Sequence, residues 1–385
     1  MTADPRRIDT LIVTRKDVEI GVLRRIENGW RFDYEEAPHY SVCHSMRHQQ
    51  SMAFERIGVN LPAFFANLLP EGSRINAVAR SIKTSVDDLF SLLIATSGDL
   101  IGDVGIANER GIEYSLALHE LKQESWADLR GEVQSVAGVQ EKMSGRLTAV
   151  SVRTRGAPCL VKFDNVAFPN IVENEMFFLG LAKVCGLKVA HAEVISDSAG
   201  DKALMVQRFD RTDHGNRKLA QEDGCQLLDL YPGDKYHPTF HDLIRKFTEV
   251  CASPRLAALD LIRQYIFSYI IGNGDMHAKN VSILENAKSG LIEVSPAYDL
   301  LTTLAYPGLD QNMALAVLGK DSNFRASSFV DLGRRFDIPE TVLLKNLHQL
   351  CEGVSSRIQH CETIFDPKTA EKVVNEIQRR IQRLS

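Results

Sequence analysis

The chain has 385 residues, 44% of them apolar, 25% charged and 7% aromatic, and its formal net charge is −5. That balance belongs to an ordinary globular protein and excludes collagen-like, coiled-coil and intrinsically disordered chains. The length suits two domains or one large two-lobed unit, and the acidic excess disfavours direct DNA binding through the chain's own surface.

No apolar stretch approaches the roughly 18 to 20 residues that a membrane-spanning helix needs. The first residues include arginines but no apolar run of signal-peptide length. Seven cysteines stand singly at 43, 159, 185, 225, 251, 351 and 361, without a C-x-x-C pair. Neither a zinc ribbon nor a disulfide framework is indicated. The expectation is a cytoplasmic protein with reduced thiols mostly in its core and no membrane contact.

Short strands are predicted over 10–14, 18–23 and 30–34, where β-branched residues precede a turn at Gly29. From Leu61 the period becomes helical, giving helices over 63–69, 73–82 and 86–95. Asp87 and Asp88 fall in the first turn of the third, where negative charge suits the helix dipole. Glycines at 98, 102 and 105 then mark a turn and a short strand.

Gly138 and Gly145 flank a glycine-containing loop, followed by strands over 147–152 and 158–163. An amphipathic helix over 173–185 closes at Gly186, and strands over 189–195 and 203–209 complete a small mixed sheet. Beyond about 240 the helical period dominates, apart from a loop at 272–299. Residues 366–385 carry five Lys/Arg and three Asp/Glu, the pattern of a solvated helix face.

The sharpest signal is Gly272-Asn-Gly274-Asp275-Met-His277-Ala-Lys279-Asn280. Asp275 and Asn280 have the spacing of a D-x-x-x-x-N phosphotransfer loop. There a carboxylate orients and deprotonates the attacking hydroxyl, and an amide oxygen ligates Mg²⁺ without adding charge. A second carboxylate must hold the same ion against the nucleotide, and Asp299 can fill that place. On the other side of ATP, backbone amides of the glycine loop approach phosphates closely. Lys162 would neutralise phosphate charge, with either Glu173 or Glu175 to hold it. Residues 207–211 would form the hinge that meets adenine. Taken singly, each feature suits a cap, a turn or an edge-strand lysine. Their order along the chain argues for phosphoryl transfer.

At these residues the sequence resembles the HipA family of bacterial serine/threonine kinases, toxins of type II toxin–antitoxin pairs. The matching stretches are Ser135-Val-Ala-Gly-Val-Gln-Glu-Lys142, Leu160-Val-Lys162, Glu173-Asn-Glu175, Val206-Gln-Arg-Phe-Asp-Arg211, Gln221-Glu-Asp-Gly-Cys-Gln226, Gly274-Asp-Met-His-Ala-Lys-Asn280 and Pro296-Ala-Tyr-Asp299. Residues 64–70 and 98–105 look like the small subdomain that precedes the kinase in this family, so the resemblance covers nearly the whole chain.

The resemblance implies an α+β chain. An N-terminal α/β subdomain over 1–125 precedes a two-lobed, protein-kinase-like domain over 126–385. Its β-rich small lobe spans about 126–211 and its all-helical large lobe about 212–385. It implies Asp275 as catalytic base, Asn280 and Asp299 as Mg²⁺ ligands, and Lys162 as the ATP-phosphate lysine. Gly138, Val139, Gln207, Phe209 and His277 join the ATP-binding set. Lys279 is counted with the catalytic residues, with contact to the transferring phosphate as its open role. Ser135 matches the serine that family members autophosphorylate to eject the phosphate loop; a phosphoserine's charge repels ATP phosphates.

The implied function is therefore an ATP- and Mg²⁺-dependent serine/threonine kinase that arrests growth, with an aminoacyl-tRNA synthetase as one target class. The implied partner is a small HipB-like helix-turn-helix antitoxin, through which operator DNA is reached. Two competing readings are a small-molecule phosphotransferase with a similar loop and a non-catalytic, antitoxin-binding corepressor. The long N-terminal region and the Ser135 loop oppose the first. Intact Asp275, Asn280, Asp299 and Lys162 oppose the second.

Overall fold

The computed structural model describes residues 4–108, 119–120, 149–154, 157–164 and 167–385. Its first domain is an antiparallel sheet of β1 (Thr10–Arg15), β2 (Val18–Ile26), β3 (Gly29–Tyr34) and β4 (Ala53–Ile57). Helices α1 (Ala63–Ala66), α2 (Gly72–Ser81) and α3 (Leu89–Thr96) follow, and β5 (Val104–Asn108) returns beside β1. Leu11, Val13, Leu23 and Phe32 point from one sheet face onto Phe64, Phe65, Phe90 and Leu93. Residues 86–88, expected inside the third helix, instead precede it, because Asp88 caps α3 by accepting from the Ser91 N–H. The polar stretch before β4 hid that strand from periodicity.

The small lobe is a mixed sheet in the order β6 (His119–Glu120), β7 (Ala149–Thr154), β8 (Ala157–Phe163), β10, β9. Among its described strands only β6 and β7 run parallel. Between β8 and β9 lies α4 (Ile171–Val184), then β9 (Ala192–Ser196) and β10 (Lys202–Gln207). Gly186 follows α4 with φ +76°, the left-handed conformation that ends a helix without a Cβ penalty.

The larger lobe begins with β11 (Arg211–Thr212), β12 (Arg217–Lys218), β13 (Gln221–Asp223), the single turn α5 (Gly224–Leu227) and α6 (Phe240–Val250). At its centre is α7 (Pro254–Ile271), buried nearly all round through Leu261, Ile262, Tyr265, Phe267 and Ile270, which marks an interior helix. The stretch expected as a loop contains β14 (Ser282–Glu285) and β15 (Ile292–Val294), paired antiparallel with each other and with β13. The lobe is thus helical around a three-stranded sheet that carries the candidate site. Helices α8 (Ala326–Arg334), α9 (Glu340–Ser355) and α10 (Pro367–Leu384) surround α7. The face of α10 expected to be solvated is partly internal. Arg380 is buried and donates to the carbonyls of Tyr269 at 2.7 Å and Gln311 at 2.8 Å.

The N-terminal domain is stitched to the larger lobe by polar contacts. Lys16 pairs with Glu285 at 2.8 Å, Asn67 donates to the Leu230 carbonyl at 2.8 Å, and Gln226 donates to the Phe64 carbonyl at 3.1 Å.

Candidate active site

A cavity of about 340 Å³ opens where the lobes meet, and the N-terminal domain forms one of its walls. Leu160, Val206, Phe209 and Tyr298 give it an apolar side; Lys162, His277, Asn280 and Asp299 give it a polar one. Phe209 packs obliquely on Tyr298, ring centroids 5.7 Å apart. Gln207 and Phe209, placed at a hinge by the sequence reading, both line the cavity.

Lys162 lies on β8, paired to Leu204 of β10, and its ammonium meets three carboxylate oxygens. It donates to both oxygens of Glu175 at 2.8 Å and to Asp299 Oδ1 at 2.7 Å. Glu175 is thus the lysine's partner. Glu173 lies elsewhere on α4 and pairs with Lys202 at 2.6 Å on the surface. Two residues along a helix are about 200° apart, so only one of the two faces β8. Burial pushes Glu175 up to about 7 despite the charge of Lys162. For Asp299 burial also opposes the charge, but Lys162 and the Asn280 amide more than offset it and lower the carboxyl's pKa.

The loop that bears Asp275 begins at the C-cap of α7. Gly272 adopts φ +72°, and a Cβ at Gly274 would come within 2.4 Å of the Asp310 carbonyl oxygen, so both positions require glycine. Asn273 accepts from the Asp275 N–H at 3.2 Å and donates to the Asp299 carbonyl at 3.2 Å, tying the Asp275 loop to Asp299. Asp299 itself sits at φ +57°, a costly conformation for a non-glycine residue and one that recurs at functional sites. Tyr236 donates to Asp275 Oδ1 at 2.7 Å. Asp275 does not line the cavity; it flanks it beside Tyr236, whose ring meets that of His277 edge-on at 5.2 Å.

Asn280 donates to Asp299 Oδ2 at 2.8 Å, and its own Oδ1 is buried without a hydrogen-bond partner among the described residues. An orphaned amide oxygen beside a carboxylate is a hard-donor pair of the kind Mg²⁺ takes alongside nucleotide phosphates, so these two residues fit the ion. Among the described residues no group of three His, Cys, Asp or Glu is arranged to hold a metal by itself.

Both ring nitrogens of His277 are buried and unpartnered among the described residues. Burial, helped by Lys235, drives its pKa from 6.5 down to about 3. The folded state therefore binds no proton here across a range where the unfolded chain does, so stability falls as pH drops from 6.5 towards 3. At pH 5, His277→Gln is expected to reduce the pH slope of unfolding free energy by about one proton, or ~1.4 kcal/mol per pH unit. Equal slopes for the two proteins in urea titrations would overturn this.

Lys279 is taken up by the N-terminal domain. Its ammonium lies 2.8 Å from Glu71 Oε1 and 3.1 Å from Asn67 Oδ1, with Asp223 at 3.7 Å. Lys235 reaches the same Glu71 at 2.5 Å. Burial disfavours charge on Glu71, yet the two lysines hold it down at about 2. Burial pushes Asp223 up to about 6, against Lys279. Sequence reasoning missed Glu71, Lys235, Tyr236 and the bridging role of Asn273. Ser135, Gly138 and Val139 lie outside the described residues.

A strand lysine paired to a helix glutamate, a D-x-x-x-x-N loop and a second aspartate around one interlobe cavity define a protein-kinase-like fold. The HipA-like C-terminal domain matches residues 134–382 and the HipA N-terminal domain matches 11–107, and the chain belongs to the HipA family of kinases. The Sinorhizobium fredii protein named "Putative kinase Y4mE" is 32% identical over 285 residues, covering 66% of this chain and 67% of its own. The serine/threonine-protein kinase toxin HipA of Shewanella oneidensis is 27% identical over 346 residues, covering 79% and 78%. A chain of the solved complex of Shewanella oneidensis MR-1 HipA, HipB and operator DNA superposes with a TM-score of 0.77 at 20% identity, over 97% of each chain. No helix among the described residues is long and apolar enough to cross a membrane.

Proposed function

We propose that the chain transfers the γ-phosphoryl group of Mg-ATP to a serine or threonine hydroxyl, as the toxin of a HipB-like antitoxin pair. The observation that carries this reading is the unbroken contact chain Glu175–Lys162–Asp299–Asn280, joined by Asn273 to Asp275. Asp275, oriented by Tyr236 and Asn273, accepts the hydroxyl proton while the alkoxide oxygen bonds to the γ-phosphorus and ADP departs. Lys162 meets phosphate charge, and Asn280 with Asp299 would hold Mg²⁺, which supplies further neutralisation of the phosphates. Leu160, Val206, Phe209 and Tyr298 offer an apolar slot for adenine.

The regulatory part of the reading rests on the match of Ser135 to the family's autophosphorylated serine. The toxin part rests on the likeness to the HipA toxin of Shewanella oneidensis. The net charge of −5 fits a protein that reaches operator DNA through its antitoxin, and a translation enzyme such as an aminoacyl-tRNA synthetase is the proposed target. Intact mass spectrometry after incubation with Mg-ATP tests the core of this. One phosphoryl adduct is expected on the wild type, absent from Ser135→Ala. No adduct on protein first shown to be unphosphorylated, in a preparation that binds ATP, would point instead to a small-molecule acceptor.

A further inference from the structure

Glu71 opens α2, and an acidic residue there usually accepts hydrogen bonds from its own helix's first N–H groups. Its carboxylate makes no such bond and crosses to the other domain. The two lysines it meets are next in sequence to two residues of the candidate site. Lys235 precedes Tyr236, which donates to Asp275, and the Lys235 carbonyl accepts from the Ala278 N–H at 3.0 Å. Lys279 precedes Asn280, which donates to Asp299, and the Lys279 carbonyl accepts from the Tyr298 hydroxyl at 2.7 Å. Residues Ala278–Asn280 form one 3₁₀ turn. Successive side chains in such a turn are about 120° apart, so holding Lys279 against the N-terminal domain fixes the direction in which Asn280 points.

Building on the kinase reading above, we propose that Glu71 is a positioning residue of the phosphotransfer site, acting through Lys235 and Lys279 on the orientation of Asp275 and Asn280. The N-terminal domain is then part of the catalytic apparatus, and one carboxylate braces both the base and the metal side. Without that charge Asp223, 3.7 Å from Lys279, is the carboxylate left to the cluster, and the buried excess of positive charge is relieved by moving the lysines. The 3₁₀ turn moves with Lys279, and the oxygen of Asn280 leaves its place beside Asp299.

The test is the rate of phosphoryl adduct formation on the full chain at varied Mg²⁺ and varied ATP. Glu71→Gln is expected to slow the reaction at least tenfold and raise the Mg²⁺ needed for half-maximal rate at least fivefold. The ATP needed should stay within twofold, and Glu71→Asp should recover most of the rate. Lys16→Met, which breaks the separate interdomain pair with Glu285, is expected to leave all three readings unchanged. An unchanged Mg²⁺ requirement in Glu71→Gln, or the same losses in Lys16→Met, overturns the proposal. Should Glu71→Gln fail to fold, Asn67→Ala removes the other N-terminal partner of Lys279 and must raise the Mg²⁺ requirement; no rise is again a refutation. If the wild type forms no adduct, the kinase reading fails by itself. Amide exchange at 278–280, faster in either variant, still decides whether Glu71 braces the turn, and unchanged exchange in both refutes it.

Discussion

Asp275→Asn is expected to lower the phosphotransfer rate by about 10²–10⁴-fold, the usual worth of a positioned general base. The amide keeps the shape and still accepts from Tyr236, whose hydroxyl bonds Oδ1 at 2.7 Å. It has no basic oxygen to take the proton of the attacking hydroxyl. The half-saturating ATP should stay within about twofold, because Asp275 flanks the cavity and does not line it. Single-turnover kinetics with each protein saturated in Mg-ATP measures this. A rate within threefold of wild type would remove Asp275 from the role of base and turn attention to Tyr236.

The largest expected loss of stability follows from Asp210→Ala. Asp210 lies between β10 and β11, 3% exposed, and accepts from Arg208 at 2.7 Å and Arg211 at 2.6 Å, both also 3% exposed. It also accepts from the Gly102 N–H at 2.8 Å. Asp99, from the same N-terminal turn as Gly102, is the other counter-charge, 2.5 Å from Arg208. Removing Asp210 leaves two buried guanidinium groups with one carboxylate between them. Breaking a buried pair in this way costs about 3–5 kcal/mol, far more than losing a surface ion pair. Urea titration of wild type and variant should show that loss; a difference under ~1 kcal/mol would mean the arginines find solvent or other carbonyls. Since the cluster abuts Phe209, weaker ATP binding should accompany it.

The parts of the site legible in the sequence are those carried by local spacing. Asp275 and Asn280 share one loop, Asp299 follows within a single hairpin, and Lys162 sits in an alternating strand. The choice of Glu175 over Glu173 was also within reach. Ile171, Val172, Phe178, Leu179 and Ala182 define the buried stripe of α4, and Glu175 falls inside it while Glu173 does not. What the sequence concealed is contact between distant segments. Nothing near Glu71 announces that it will bridge Lys235 and Lys279, because the three meet only after two domains dock. The strands β14 and β15 escaped for another reason: four and three residues are too few to establish a period of two against flanking helices. Arg380 misled by type, since an arginine on a charged helix reads as solvated until α7 and the Gln311 carbonyl are seen to receive it.

All seven cysteines are reduced and buried, and burial raises the thiols, Cys43 to about 12 and Cys351 to about 11. A thiol that holds its proton and meets no solvent does not react with alkylating agents until the chain around it opens. Cys43 sits in the core of the N-terminal domain, Cys159 in the small lobe, and Cys185, Cys225, Cys251, Cys351 and Cys361 in the main core. Evolution has thereby left the molecule with its own set of timers, one or more per compartment. The rate at which each becomes alkylated, followed by peptide mass, reads the local opening of its region directly in the unmodified protein.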